Sequence, residues 1–122
     1  MFLDALVFYV PKENTHEVLR TLFDAGAGSV GDYSECAFIT AGTGQFRPLR
    51  GAHPTVGYLD RLERVEENRV ELTFNRKIRT RVIEALRRAH PYEEPAFHVI
   101  ENPVPHETQK PATNTEQATD LG

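Results

Sequence analysis

Cysteine, methionine and tryptophan are nearly missing from this chain of 122 residues, which has one Cys, one Met and no Trp. The single cysteine, Cys36, has no second cysteine to pair with, so an internal disulfide is excluded. A protein without disulfides suits a reducing compartment, and we therefore predict a cytoplasmic location. Cys36 has no assignable base and opens a short apolar run, a pattern typical of a small buried strand residue.

Long apolar runs are absent as well. A membrane-spanning helix needs about 18 consecutive apolar residues, and no stretch of the sequence approaches that length. Only Met1, Phe2 and Leu3 precede the first acid, Asp4, so the basic and apolar regions of a signal peptide are missing. We predict neither a signal peptide nor a membrane span.

Positive charge is in deficit. The chain has 14 Lys and Arg but 18 Asp and Glu, which gives a net charge of -4 at pH 7. That balance argues against general binding of nucleic acids, whose phosphates attract basic surfaces. The local exception is the segment from Arg76 to Arg88, in which Glu84 is the one acid among several basic residues. Such a pattern is typical of a solvated helix face, so no nucleic-acid partner is predicted.

The chain divides into a folded body and a tail. With 39% hydrophobic and 26% charged residues, the composition is that of a globular protein, and the length suits a single domain. From 103 to 122 the large apolar residues are Val104 and Leu121, too few to offset the entropy of ordering. We predict a domain over 1–102 and a flexible tail over 103–122.

The first half of the body predicts a strand, a helix and a second strand. Residues 2–10 are mostly apolar, as in a strand buried on both faces, and Pro11 follows. Apolar side chains then recur on one helical face between Asn14 and Gly26. The run CAFITA, residues 36–41, predicts the next strand.

The second half predicts a hairpin, a helix and a last strand. Residues 59–65 pair with the alternating segment 70–74 across a polar turn, Glu66 to Arg69. Asn75 caps a helix whose apolar stripe is Ile78, Val82, Leu86 and Ala89, and residues 96–101 form the last strand. The order indicates a ferredoxin-like α+β sandwich, βαββαβ, with an extended Gly/Pro-rich loop or hairpin and both helices on one face of an antiparallel sheet.

Residues 42–57 form a glycine- and proline-rich connection, and we predict that it is too interrupted for regular structure. Its glycines, with Arg47 and Arg50, resemble an anion-binding loop. However, the third glycine of a dinucleotide fingerprint and the lysine of a phosphate loop are missing. We therefore favour a pair of turns that folds over the sheet or reaches a neighbouring subunit, and a small-anion or nucleotide pocket stays open as the alternative.

The stretch AHPYEEPAFH, residues 89–98, holds two histidines and two adjacent carboxylates between prolines. Pro91 cannot continue a helix and Pro95 favours an extended neighbour, so the stretch joins the second helix to the last strand. The structural interpretation has His90 bonding the helix-end carbonyls, and Glu93 or Glu94 pairing with Arg87 or Arg88.

The functional interpretation of the same stretch is a divalent metal site built from histidine and carboxylate. His90 and Glu93 would bind the metal, and His98 or His53 would complete the set. A closed zinc site has four ligands at recognisable spacing, which is not evident here. His98 alternates with Ala96 and Ile100 and is more typical of a sheet residue, so the metal site stays the alternative.

A set of spaced elements runs through the folded body in a fixed order. It consists of Gly28, Tyr33, Cys36-Ala37-Phe38, Gly42, Gly44, Phe46, Pro48, Gly51, Pro54, Gly57, Glu63, Val65, Glu66, Glu71 and His90 to Pro95. Together these elements resemble the small domain inserted in many members of the YqfO family of NGG-interacting-factor-like proteins. The resemblance covers roughly residues 3–101, with two departures: His53 stands where asparagine is expected, and Asp60 replaces a glycine.

The resemblance implies a fold similar to CutA and the PII signalling proteins, which commonly assemble as trimers, and so a homo-oligomer. Full-length family members carry a two-metal site in a flanking domain that these 122 residues do not accommodate, so neither that site nor a hydrolase activity is carried over. We predict a non-enzymatic module that binds a small ligand or a partner protein without a resident cofactor. Its candidate ligand-binding residues are Tyr33, Cys36, Gly42, Gly44, Phe46, Arg47, Pro48, Gly51, His53, Pro54, His90, Tyr92, Glu93 and Glu94.

Overall fold

The computed structural model describes residues 1–107 of the chain. It consists of β1 (Leu3–Pro11), α1 (Thr15–Asp24), β2 (Phe38–Phe46), β3 (Glu63–Asn75), α2 (Arg79–Ala89) and β4 (Phe97–Ile100). Short 3₁₀ turns, Lys12–Asn14 and Arg76–Ile78, precede the two helices. The order βαββαβ is the predicted ferredoxin-like order. Neither helix is long and apolar enough to cross a membrane.

The four strands form one antiparallel sheet in the order β2-β3-β1-β4. Both helices pack on one face, where alternate strand residues and the apolar helix stripes form a single core. That core is composed of Leu6, Phe8, Val10, Val18, Leu19, Leu22, Ala27, Val70, Leu72, Phe74, Val82, Ala85 and Leu86. Within residues 1–107, the opposite face of the sheet has no helix on it.

Two predicted elements were wrong in the middle of the chain. Strand β2 continues five residues past Ala41 to Phe46, so Gly42 and Gly44 are strand residues rather than part of an irregular connection. The predicted hairpin does not exist, because Glu63–Asn75 is one strand of 13 residues. It pairs with β1 on one side and β2 on the other, and the polar residues 66–69 extend along the sheet instead of turning.

The flexible tail predicted for 103–122 lies outside the described residues from 108 onward, and its mobility stays a prediction. Its first residues are described, and the backbone N–H of His106 donates a hydrogen bond to the Met1 carbonyl oxygen over 2.8 Å. Nearer the body, Asn102 N–H donates to the buried Asp4 carboxylate over 2.9 Å. The described chain thus returns to the start of β1.

Candidate ligand-binding site

A cavity of about 290 Å³ opens where β2 ends. Its walls come from two segments far apart in sequence, the 47–57 connection and the 91–95 segment, together with residues of the sheet. The lining residues are Tyr9, Gln45, Phe46, Pro48, Ala52, Pro54, Thr55, Val56, Glu67, Tyr92, Glu93, Glu94 and Ala96.

The floor of the cavity is the face of the sheet that carries no helix. Tyr9 pairs with Arg69, Phe46 with Glu63 and Glu67 with Pro11, all in the alternate register to the core residues Phe8 and Val70. Since successive strand residues point to opposite faces, Tyr9, Phe46 and Glu67 project away from the helices. The 47–57 connection therefore folds over the open face, as one of the sequence interpretations expected.

Two hydrogen bonds hold the covering segments together. The backbone N–H of His53 donates to Glu93 Oε1 over 3.3 Å, and the Thr55 hydroxyl donates to the Pro91 carbonyl oxygen over 2.8 Å. The predicted pairing of Glu93 or Glu94 with Arg87 or Arg88 is wrong, because within residues 1–107 no such ion pair forms. Glu93 instead fixes the connection that forms the opposite wall.

His90 lies beneath the site and is buried, with 6% of its surface exposed. Its Nε2 lies 2.6 Å from the Tyr9 carbonyl oxygen, and its Nδ1 accepts a 3.0 Å hydrogen bond from the Tyr92 N–H. This pattern requires a neutral ring protonated on Nε2. Burial lowers the pKa of His90, which favours the same neutral form. The predicted bond to the helix-end carbonyls is therefore wrong, since the ring binds β1.

Tyr92 forms an aromatic wall. Its ring centroid lies 5.8 Å from that of Phe46 and 5.1 Å from that of His90, both in tilted geometry. The hydroxyl is buried and has no hydrogen-bond partner among the described residues, although the Glu67 carboxylate is near it. Burial, and then that carboxylate, raise the pKa of Tyr92, so the phenol is neutral at any physiological pH.

Gly44 provides the space that Glu67 occupies. A Cβ atom on Gly44 would overlap the Glu67 carboxylate, whereas a Cβ on Gly42 would meet the same residue's backbone only at 4.0 Å. The carboxylate can therefore lie flat against β2 beside Tyr92. Sequence reasoning did not select Glu67 or Tyr9, because Glu67 was assigned to a turn and Tyr9 to a fully buried strand.

Of the predicted site residues, the cavity brings together Phe46, Pro48, Pro54, Tyr92, Glu93 and Glu94. Tyr33 and Cys36 lie at the opposite end of β2. There the Cys36 N–H donates to the Gly28 carbonyl oxygen, and the Gly28 N–H donates to the Thr73 carbonyl oxygen of β3. Nine strand residues put the two ends roughly 25 Å apart. Tyr33 and Cys36 are therefore not part of this site.

The remaining predicted residues lie around the cavity without lining it. Arg47 donates from Nη1 to the Asp60 carbonyl oxygen over 2.9 Å, which stabilises the connection from outside. Gly51 has a φ of 99° and marks a turn, and the His53 side chain is exposed to solvent. Gly42 belongs to the exposed part of β2.

The four residues of the alternative metal site do not converge. Both ring nitrogens of His90 already bind backbone groups, so neither is available to a metal. His98 is exposed on β4, opposite Val7, with its ring 6.5 Å from that of Tyr9. Throughout residues 1–107 no group of three or more His, Cys, Asp or Glu is placed to hold a metal ion.

The chain has well-matched relatives among curated proteins. It is 50% identical over 98 residues to a protein of Mycobacterium tuberculosis and 45% identical over 97 residues to one of Bacillus subtilis, both named GTP cyclohydrolase 1 type 2 homolog. The match covers 80% of this chain and 26% of each relative, so the chain spans about a quarter of their length. No protein-family model matches the chain.

Solved structures match the chain in two groups, proteins related to NIF3 and CutA proteins. A Bacillus cereus protein related to NIF3 matches with a TM-score of 0.72 and 40% identity over 84% of this chain and 26% of that one. The divalent ion tolerance protein CutA1 from Ehrlichia chaffeensis matches with a TM-score of 0.61 and 16% identity over 86% of this chain and 85% of that one. The chain is thus homologous to part of the NIF3-like, YqfO-like proteins and has the ferredoxin-like fold of CutA.

Proposed function

We propose that this chain is a non-enzymatic binding module, and that its ligand site is the cavity between the 47–57 connection and the 91–95 segment. The observation that carries the proposal is the joining of those two segments by the bonds from His53 to Glu93 and from Thr55 to Pro91. A site whose walls are already tied together loses little entropy when a ligand enters. Its volume is at the lower end of the range for small-molecule pockets.

A catalytic role has less support from the lining residues. Nucleophilic catalysis needs a nucleophile beside a base, and the one aliphatic hydroxyl among the lining residues, that of Thr55, already donates to the Pro91 carbonyl oxygen. The imidazole that could act as base, His90, is held by two backbone groups beneath the floor. The activity named for the full-length relatives concerns proteins about four times as long as the matched part, so it gives no assignment for this cavity.

The metal-handling alternative likewise lacks support, because its four residues are dispersed. An anion-binding role is unfavourable too, since the lining includes Glu67, Glu93 and Glu94 but no Lys, Arg or His. Arg47 faces Asp60 rather than the cavity. A cytoplasmic location and the absence of nucleic-acid partners remain predictions from composition.

A fragment screen by NMR tests the proposal. A ¹⁵N-labelled sample would be titrated with neutral, cationic and anionic fragments of about 8 to 15 non-hydrogen atoms, a size suited to the cavity. We expect at least one class to shift amide resonances of 47–57 and 91–95 together. Phe46→Ala should weaken those shifts, whereas Tyr33→Ala, at the far end of β2, should preserve them. If no fragment of any charge perturbs the two segments, the binding proposal is wrong.

We also propose that the module self-associates through its sheet edges, in line with the trimers that the sequence resemblance implies. Strand β2 is an edge strand without a charged side chain, and Phe38 and Ile39 are 67% and 43% exposed. The opposite edge, β4, exposes Ile100. Uncharged, open edges favour strand addition, and pairing β2 of one copy with β4 of the next gives a ring when the rotation closes.

Sedimentation equilibrium tests this assembly. We expect a discrete oligomer for the natural chain and dissociation on Ile39→Lys, because a charge at an uncharged edge opposes pairing. Leu49→Asp is the matched control, since Leu49 is 63% exposed but lies outside both edge strands. A strict monomer at working concentration would overturn the assembly, as would equal effects of the two variants.

A further inference from the structure

The walls of the cavity combine aromatic rings with acids. Tyr9, Phe46 and Tyr92 supply the rings, and Glu67, Glu93 and Glu94 supply the carboxylates. In the described part of the chain none of these three acids lies within ion-pair distance of a basic side chain. Six of the thirteen other acids in residues 1–107 form ion pairs, among them Asp4 with Arg76 and Glu101 with Arg79.

One basic residue, Arg87, lies close to this wall. Together with Glu93 and Glu94 it lines a second surface that also includes Phe97. Its guanidinium is 5.3 Å from the centre of the Phe97 ring and is thus engaged on β4. The residues that line the first cavity include the three glutamates and no basic side chain, so its lining carries net negative charge.

That negative charge has to be matched by the charge of the ligand. An anion would be repelled by unpaired carboxylates at close range. A single metal ion would need several carboxylate oxygens around one point, and residues 1–107 hold no group of acids, histidines and cysteine so arranged. An organic cation spreads its charge over several atoms and can contact aromatic faces and separate carboxylates at once.

We propose that the cavity binds a small organic cation, a protonated amine or quaternary ammonium compound with a compact apolar body. This inference rests on the proposed binding function and specifies its ligand class. The tilted rings of Phe46 and Tyr92, 5.8 Å apart, contact the apolar body and the cationic head. Glu67, kept flat by Gly44, and Glu93 provide the charge.

Matched pairs of probes test the charge requirement. Choline would be compared with its neutral isostere 3,3-dimethylbutan-1-ol, and tyramine with 4-ethylphenol, by NMR titration of the amide resonances of 47–57 and 91–95. We expect each cation to bind at least about tenfold more tightly than its neutral partner, the size of one close charge pair in a partly screened site. Added salt should reduce the affinity of the cations and leave the neutral probes unchanged.

Variants that remove charge without removing shape complete the test. Glu67→Gln and Glu93→Gln keep an acceptor oxygen, so the hydrogen bond to the His53 N–H can persist. The double variant should weaken binding of choline about tenfold. Glu84→Gln, at an exposed position of α2 that does not line the cavity, is the control for each single variant and should bind like the natural chain. An unchanged melting temperature would show that all variants are folded, and Glu94→Gln is the substitute if one of them is not.

The outcomes separate this inference from the proposed function. If the neutral probes bind as tightly as the cations, or if anionic fragments alone shift the 47–57 and 91–95 resonances, the cation inference is wrong and the binding function stands. If no probe or fragment of any charge perturbs those segments, both are wrong. If cations bind but Glu84→Gln weakens their binding as much as the double variant does, the attraction comes from the negative charge of the whole surface. The assignment to this cavity is then overturned.

Discussion

The imidazole of His90 binds the carbonyl oxygen of Tyr9 across 2.6 Å and so joins the end of α2 to β1. The same ring accepts the Tyr92 N–H, which directs the chain from the helix into the 91–95 wall of the cavity. The helix end, the central strand and the site are thus connected through one neutral side chain. This buried contact gives the histidine between α2 and Pro91 a structural role.

Replacing His90 tests that connection. His90→Phe should lower the free energy of unfolding by about 1–3 kcal/mol, because the Tyr9 carbonyl and the Tyr92 N–H lose their partner in a buried place. Urea denaturation at pH 7.5 measures the change. His16→Phe, on the exposed side of α1, is the control and should have little effect. Equal stability of the two variants would contradict the structural role of His90.

The pH dependence of stability gives a second measure of the same contact. Burial lowers the pKa of His90 in the folded protein below its ordinary value of 6.5. As pH falls below 6.5, the unfolded chain binds the proton before the folded one does, so the free energy of unfolding decreases. Once the pH is below the pKa of His90 in the folded protein, this residue causes no further decrease in the free energy of unfolding. His90→Phe should flatten the profile between pH 7 and 5, and an unchanged slope would contradict the prediction.

Periodicity predicted the outer elements of the fold well, because their apolar residues report burial directly. Val82 and Leu86 lie in the core as their helical spacing indicated, and β1 and β4 lie within about one residue of the predicted bounds. The middle of the sheet was predicted only in part. Residues 38–41 and 70–74 lie in β2 and β3, as their strand patterns indicated. The rest of β2 is largely exposed and the rest of β3 is mostly polar, so those parts lack the pattern of a buried strand.

The site was only partly predictable for a related reason. Tyr92, Glu93 and Glu94 stood out because prolines bracket them, and Phe46 and Pro48 because they lie in the glycine- and proline-rich stretch that carries part of the family resemblance. Glu67 reaches the cavity only through the register of β3 against β2, which no local pattern encodes. Tyr33 and Cys36 belong to the same resemblance, but they lie at the other end of β2 from the cavity.

Asp4 and Arg76 form a second connection whose strength should depend on pH. The carboxylate is fully buried and accepts two hydrogen bonds from the guanidinium, at 2.8 and 2.9 Å, plus one from the Asn102 N–H. The bond from Arg76 lowers the pKa of Asp4 below 3.8, although burial opposes it. A carboxyl group whose pKa is lower in the folded state stabilises the fold fully at pH values above its pKa in the unfolded chain. That stabilisation is lost as the pH falls through its pKa in the folded protein.

Asp4→Asn should therefore destabilise the chain strongly at pH 7, by several degrees in melting temperature, and the deficit should shrink as the pH falls below about 4. Asp24→Asn is the matched control. Asp24 faces Arg20 at 3.8 Å with both side chains exposed, so its loss should change stability by no more than about 0.5 kcal/mol at any pH. Thermal melts at pH 7, 4 and 3 measure both. A deficit for Asp4→Asn that stays constant with pH would be evidence against this linkage.

Gly44 and Gly42 allow the position of Glu67 to be tested with one added methyl group. Gly42→Ala should be tolerated, because the added Cβ would lie 4.0 Å from the Glu67 carbonyl oxygen, which is an ordinary van der Waals contact. Gly44→Ala should displace the Glu67 carboxylate from β2, at a modest cost of about 1 kcal/mol because the displaced group is the end of a flexible side chain. Carbon NMR of the Glu67 carboxyl should shift in the second variant alone. Glu67→Ala added to Gly44→Ala should recover the lost stability.

Removing the Tyr92 hydroxyl should stabilise the chain. That hydroxyl is buried and has no hydrogen-bond partner within residues 1–107, so Tyr92→Phe deletes an unsatisfied polar group while keeping the ring against Phe46 and His90. We expect a gain of about 1 kcal/mol in the free energy of unfolding by urea denaturation. Tyr33→Phe, at a 55% exposed position, should be neutral. A loss of stability in Tyr92→Phe would mean that the hydroxyl does donate a hydrogen bond, with the Glu67 carboxylate as the acceptor. A double-mutant cycle of Tyr92→Phe with Glu67→Gln would then identify that bond by its coupling energy.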